Sequence, residues 1–130
     1  MGYLYKEGNI IVYRHDIKGL CVFAGRDIKA KEHIVTCPVA LMDFDDIKKS
    51  SNLDMYPMYW SKKKDCICFG VINLLNHSQT PSVYLKRDYK KKLIKCYAKR
   101  DLSTGEELTI SYQCPIWFKE DIEDLYINNL

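Results

Sequence analysis

Three short stretches of this chain carry side chains able to do chemistry. The first is Asn76-His77-Ser78, which follows a mostly apolar run from Ile67 to Leu75. Polar groups leaving a buried element are costly unless partners await them. Those partners are the chain's own backbone, a metal or a ligand. The second is Lys18-Gly19-Leu20-Cys21-Val22-Phe23-Ala24, a glycine at a strand entry, where it permits unusual backbone or close approach by a ligand. The third is Gly105-Glu106-Glu107-Leu108-Thr109-Ile110-Ser111-Tyr112, a turn and a strand ending in a phenol. Taken singly, each also reads as an ordinary turn or structural strand.

Other chemistries fit less well. Cys66-Ile67-Cys68 is a C-x-C pair without a CxxC or His-rich partner, and His15 and His33 lie in unrelated segments, so no metal is expected. Alternation puts both thiols on one face of a strand, where they pack as small apolar groups. Cys–His catalysis would need one activated cysteine, and nothing singles one out. Asn76-His77-Ser78 matches the glycosylation rule, but the N-terminus has no apolar stretch fit for a signal peptide. The six cysteines are then expected to be reduced thiols in an intracellular protein.

The elements that must position these groups are mostly strands. The 130 residues suit one domain, and 47% apolar content provides a core. A net charge of +3 does not by itself call for nucleic acid. Ten Tyr against four Phe suit a pocket both apolar and hydrogen-bonding. Strands are expected over 9–13, 20–24, 34–39 (stopping near Pro38), 83–86, 93–98 and 107–112. Lys62-Lys63-Lys64-Asp65 reads as a polar turn. Asp43, Asp45 and Asp46 open a short helix, and Ile122, Leu125, Tyr126 and Leu130 mark one face of another. Lys86, Arg87, Lys90, Lys91, Lys92 and Lys95 gather around one hairpin, either a solvated tip or a secondary nucleic-acid contact.

In this order, the three stretches resemble the motifs of the SET-domain protein-lysine methyltransferases. Gly19 to Ala24 is similar to the family's Gly-x-Gly followed by Val-Phe-Ala. Asn73 to Ser82 looks like its Arg-Phe-x-Asn-His-x-x-x-Pro-Asn, and Gly105 to Tyr112 like its Gly-Glu-Glu-Leu-Thr-x-x-Tyr. The minimal form resembles the stand-alone SET proteins of large DNA viruses. The resemblance implies a mainly β, β-clip SET fold: several small sheets, a C-terminal pseudoknot and short helices. One domain over residues 1–130 is expected, with its core at about 9–118 and a lid and helix at 114–130.

The resemblance also implies S-adenosyl-L-methionine as methyl donor. Lys18, Gly19, Leu20 and Cys21 would lie along its methionine part. Asn76 and His77 would hold its amino and adenine groups, with Asn73 at the edge and Trp117 and Phe118 as lid. Tyr112 matches the catalytic tyrosine, also beside the donor, and Tyr59 is the candidate channel tyrosine, with Tyr56 and Trp60 competing. Leu85, or Tyr84 if the register differs by one, takes the position that limits methylation number. Cys21, Asn73 and Ser82 depart from the family's Gly, Arg and Asn, and no zinc segment follows Tyr112.

The implied activity is in-line methyl transfer to a deprotonated lysine of a histone or another basic protein tail, in the nucleus if the substrate is histone. Asp43, Asp45, Asp46, Glu120, Asp121, Glu123 and Asp124 would attract such a tail. A homodimer would help wall the channel. The alternative is a catalytically weakened SET-like module that binds a basic peptide or nucleic acid.

Overall fold

The computed structural model describes residues 5–43 and 58–111. The two helices expected from the sequence, the acidic residues Asp45, Asp46, Glu120, Asp121, Glu123 and Asp124, and Tyr56, Tyr112, Trp117 and Phe118 lie outside the described residues. Among the described residues no helix is long and apolar enough to cross a membrane.

The strands are β1 (Tyr5–Glu7), β2 (Ile10–His15), β3 (Gly19–Ala24), β4 (His33–Asp43), β5 (Met58–Tyr59), β6 (Lys64–Cys68), β7 (Asn76–His77), β8 (Val83–Asp88), β9 (Leu93–Ala98) and β10 (Thr109–Ile110). Among the described residues one 3₁₀ turn, η1 (Val71–Leu74), interrupts them. They form an antiparallel sheet β1-β2-β3, an antiparallel sheet β5-β6-β4-β9-β8 and a two-stranded parallel pair, β7 with β10. The mainly β architecture of small sheets expected from the resemblance is present.

The long strand β4 organises the larger sheet. It does not stop at Pro38, as expected from a residue without an N–H. Instead it changes partner there. His33 to Pro38 pair with β9, and Val39 to Asp43 pair with β6. A proline is tolerated at this changeover because its missing donor falls between two ladders. Its carbonyl still accepts from Phe69 N at 2.9 Å. The expected turn at 62–65 lies one residue earlier: Ser61 and Lys64 close it, and β6 begins at Lys64.

Alternation decides what each hairpin face does. On β8 and β9, Val83, Leu85, Ile94, Cys96 and Ala98 are buried. Tyr84 and Tyr97 stack on the opposite face, centroids 5.5 Å apart, with Lys86 Nζ 5.3 Å from the Tyr97 ring. That cross-strand cluster is a sheet-stabilising arrangement in its own right. Ile28, Ile72, Leu75, Ile94, Leu108 and Val22 are fully buried between the sheets. Each such side chain contributes about 1.5–3 kcal/mol.

Asp65, on β6 opposite Tyr59, is a carboxylate held partly inside this architecture. Burial raises its pKa to about 6. A carboxyl with a raised folded pKa costs stability as pH climbs from the unfolded value through the folded one. Asp65→Asn should therefore raise stability by about 1–2 kcal/mol at pH 7.5, discounted for partial exposure, and by almost nothing below about pH 4. Thermal melts across that range check this; a pH-independent gain would refute it.

Candidate functional site

The site is built where residues 105–110 thread between β3 and the segment after η1. On one side, Gly105 N donates to Ala24 O at 2.8 Å, Glu106 O accepts from Ala24 N at 2.8 Å, and Leu108 N donates to Val22 O at 2.7 Å. On the other side, β10 runs parallel to β7, Thr109 opposite Asn76 and Ile110 opposite His77. Ser78 N donates to Ile110 O at 3.0 Å. The pseudoknot implied by the resemblance is this threading.

Ser82 fastens the threaded segment. It is 1% exposed. Its hydroxyl donates to Glu107 O at 2.8 Å and accepts from Thr109 N at 2.9 Å. Its own N–H reaches Thr109 O and Thr109 Oγ1, both at 3.2 Å, and its carbonyl accepts from Lys99 N at 2.9 Å. Every polar group of Ser82 is therefore used.

Asn76 is the meeting point of the three motif segments. Its Nδ2 donates to Leu20 O at 3.1 Å and Glu107 Oε2 at 3.0 Å, with Cys21 Sγ at 3.3 Å. Three acceptors on one side fix which end of the amide carries nitrogen. Its Oδ1 accepts from no described residue. Glu107 also pairs with Lys18 Nζ at 3.0 Å. Burial pushes the Glu107 carboxyl up, but the hydrogen bonds from Asn76 and Lys18 outweigh it, and the net shift is down. The carboxylate stays charged beside Asn76. Burial and the nearby Glu107 raise the Cys21 thiol, so it stays protonated and sits 3.8 Å from Gly19 O. Gly19 has a φ of 81°, and the space where its Cβ would stand is open. Open space over Gly19 beside an amide oxygen that accepts from no described residue suits a ligand with a cationic group.

The structure brings together Lys18, Gly19, Leu20, Cys21, Asn76 and His77. Asn73 is half-buried in η1, its N–H donating to Gly70 O at 3.2 Å. His77 holds its place through the β7–β10 pairing. Tyr59 is buried in the five-stranded sheet, its ring 5.9 Å from the Arg87 guanidinium, while Trp60 packs in the core against Tyr89. Leu85 faces the core and Tyr84 the opposite face.

The SET-domain family model matches residues 19–113. The chain is 33% identical over 107 residues to a histone-lysine N-methyltransferase of Schizosaccharomyces pombe described as specific for H3 lysine 37, covering 80% of this chain and 73% of that protein. The chain belongs to the SET-domain family. At family level this makes it a protein-lysine methyltransferase.

Solved structures agree on the SET fold. A candidate histone methyltransferase of Plasmodium falciparum superposes with a TM-score of 0.67 at 25% identity, over 80% of this chain and 96% of that one. A chain of an active polycomb repressive complex 2 gives 0.70 at 19% identity, over 80% of this chain and 15% of its own, a likeness of fold alone.

Two residues of this SET domain were missed as parts of the site. Glu107 reads in the sequence as one charge of a strand, although it is the carboxylate that leads directly into buried Leu108, Thr109 and Ile110. Ser82 was read only as a departure from the motif, and no local pattern marks it as a latch. Ser82→Ala leaves Thr109 N and Glu107 O buried without a side-chain partner. It should cost about 2–3 kcal/mol in urea unfolding with an unchanged m-value; a loss under about 0.5 kcal/mol would refute the latch.

Proposed function

We propose that the chain transfers a methyl group from S-adenosyl-L-methionine to a lysine side chain of a histone or another basic protein tail. The observation that carries this reading is the convergence of the three motif segments on Asn76. The donor suits the residues present: open backbone at Gly19, an unengaged Asn76 Oδ1 and a charged Glu107 offer acceptors for its cationic end. When bound, the donor supplies a methyl carbon on a sulfonium, which an amine displaces in line. His77, Trp117 and Phe118 are assigned to its adenine side.

The protein's task is then alignment and control of a proton. A lysine with pKa near 10.4 costs on the order of 4–5 kcal/mol to deprotonate at neutral pH. A dry aromatic channel lowers that cost by desolvation, and a neighbouring positive charge lowers it further by repulsion. Tyr112 and Tyr59 are the proposed channel phenols, whose faces attract the arriving cation and whose hydroxyls orient the amine. Leu85, the inward-facing residue of its pair, is the proposed limit on methylation number.

Labelled donor incubated with core histones tests the whole reading: label is expected on a histone lysine. Donor binding without transfer to any histone or peptide library favours the binding module instead, for which the buried Cys21 in place of glycine speaks. A homodimer and a nucleic-acid contact through the hairpin are secondary parts of the proposal, checked by light scattering and by binding across a salt series. Tyr112→Phe should lower kcat by about 10²-fold with the circular dichroism spectrum unchanged; near wild-type turnover would remove Tyr112 from the reaction. His77→Ala should weaken donor binding by about tenfold, the worth of roughly one hydrogen bond, in titration calorimetry. Unchanged affinity would free His77 of that role.

A further inference from the structure

The two edges of the five-stranded sheet come into contact. β5 and β8 are its first and last strands. Even so, Arg87 Nε on β8 donates to Tyr59 O on β5 at 2.9 Å. One residue beyond each strand, the rings of Trp60 and Tyr89 pack with centroids 4.9 Å apart. That contact joins two hairpin tips that the sequence keeps apart. Ser61 and Lys64 close the turn between β5 and β6, and Lys64 Nζ pairs with Asp43 at 2.6 Å. At the other tip, Lys92 O accepts from Val39 N at 3.1 Å. Val39 to Asp43 is one stretch of β4, about 13 Å long by the rise of an extended chain. Both tips therefore stand over the same part of β4.

Two runs of lysine thereby share one surface. Lys62, Lys63, Lys90, Lys91 and Lys92 are exposed. Lys63, Lys90, Lys91 and Lys92 form no ion pair with a described residue. The neighbouring carboxylates are already engaged, Asp43 by Lys64 and Asp88 by the N–H of Lys91. Asp65, near the first tip, is half-buried on β6. Like charges gathered so closely raise a positive potential that an incoming polyanion relieves. Between the two runs stands Tyr89, 55% exposed, with one side resting on Trp60, which is only 4% exposed. The buried indole braces the phenol from behind and leaves its other side to solvent.

We propose that the two tips form a binding surface for single-stranded nucleic acid, with phosphates on the lysines and a base stacked on Tyr89. A cationic track with an aromatic platform is how proteins hold single strands without reading their sequence. A polyanion without planar rings would leave Tyr89 unused, and a duplex keeps its bases stacked inside. A single strand uses both features. The surface rests on the hairpin contact proposed above for its β8–β9 half, and the β5–β6 half is new. Binding is read without methyl donor, so failure here and failure of the proposed activity are distinguishable.

The full chain is titrated into a fluorescent oligothymidylate of about 12 nucleotides, and anisotropy is followed from about 50 to 200 mM salt. The logarithm of affinity should fall against the logarithm of salt with a slope of about −3, as for four or five neutralised phosphates of a single strand. Lys62→Gln with Lys63→Gln, and separately Lys90→Gln with Lys91→Gln, should each take about 1.4 off the steepness of that slope. Tyr89→Leu should weaken binding about tenfold at an unchanged slope. Because that change touches Trp60, an abasic strand of the same length provides the same test on the wild-type chain, with about tenfold weaker binding expected. An unchanged slope in the Lys62 and Lys63 variant would return the contact to one hairpin and overturn the shared surface. Equal affinity for a duplex or for the abasic strand, or equally effective competition by polyglutamate or phosphatidylserine vesicles, would overturn the single-strand reading.

Discussion

Residues 105–110 must satisfy their backbone on two sides at once, and the rest of the site depends on how they do so. Buried N–H and C=O groups need partners. Here one side is served by β3 and the other by β7 and Ser82. A segment bonded this way has no free edge and cannot shift by one residue without losing both sets of bonds. Two-residue strands such as β7 and β10 would be marginal as an isolated pair. They persist because Leu108, Thr109 and Ile110, which lead into and form β10, are themselves buried.

The same constraint fixes the chemistry. The parallel register sets Asn76 opposite Thr109, which brings its amide within reach of Glu107 and Leu20. Glu107 is in turn aimed by its bridge to Phe23 and charged by Lys18 and Asn76. The carboxylate therefore orients the amide, and the amide helps keep the carboxylate ionised. A polar network closed on itself in this way is rigid. Rigidity is what a reaction governed by alignment requires.

Much of this was legible in the residues. The alternation of Val83, Leu85, Ile94, Cys96 and Ala98 marked the hairpin and its buried face. The three motifs, in order, marked the threading and named Asn76 and His77. What was hidden depended on partners distant in sequence. Pro38 read as a strand end because nothing local reveals that β4 exchanges β9 for β6 at that residue. Glu107 looked like any strand carboxylate until Lys18 and Asn76 arrived from 89 and 31 residues away.

Ser82 shows why departures from a motif need weighing by hydrogen-bond capacity rather than by identity. The family's asparagine at this position carries its donors on one atom, the amide nitrogen, and its acceptor on another, the carbonyl oxygen. A serine hydroxyl offers a donor and an acceptor from a single atom. At Ser82 both are used, the donor on Glu107 O and the acceptor on Thr109 N. One oxygen thus serves both bonds, and the N–H and carbonyl of Ser82 engage Thr109 and Lys99 as well. Cys21 follows the same logic. Its thiol replaces the hydrogen of glycine, yet it is 1% exposed and takes a weak bond from Asn76 rather than displacing it. The two substitutions therefore preserve the constraint that holds the site, and their effect on activity comes down to how much room Cys21 leaves beside Gly19.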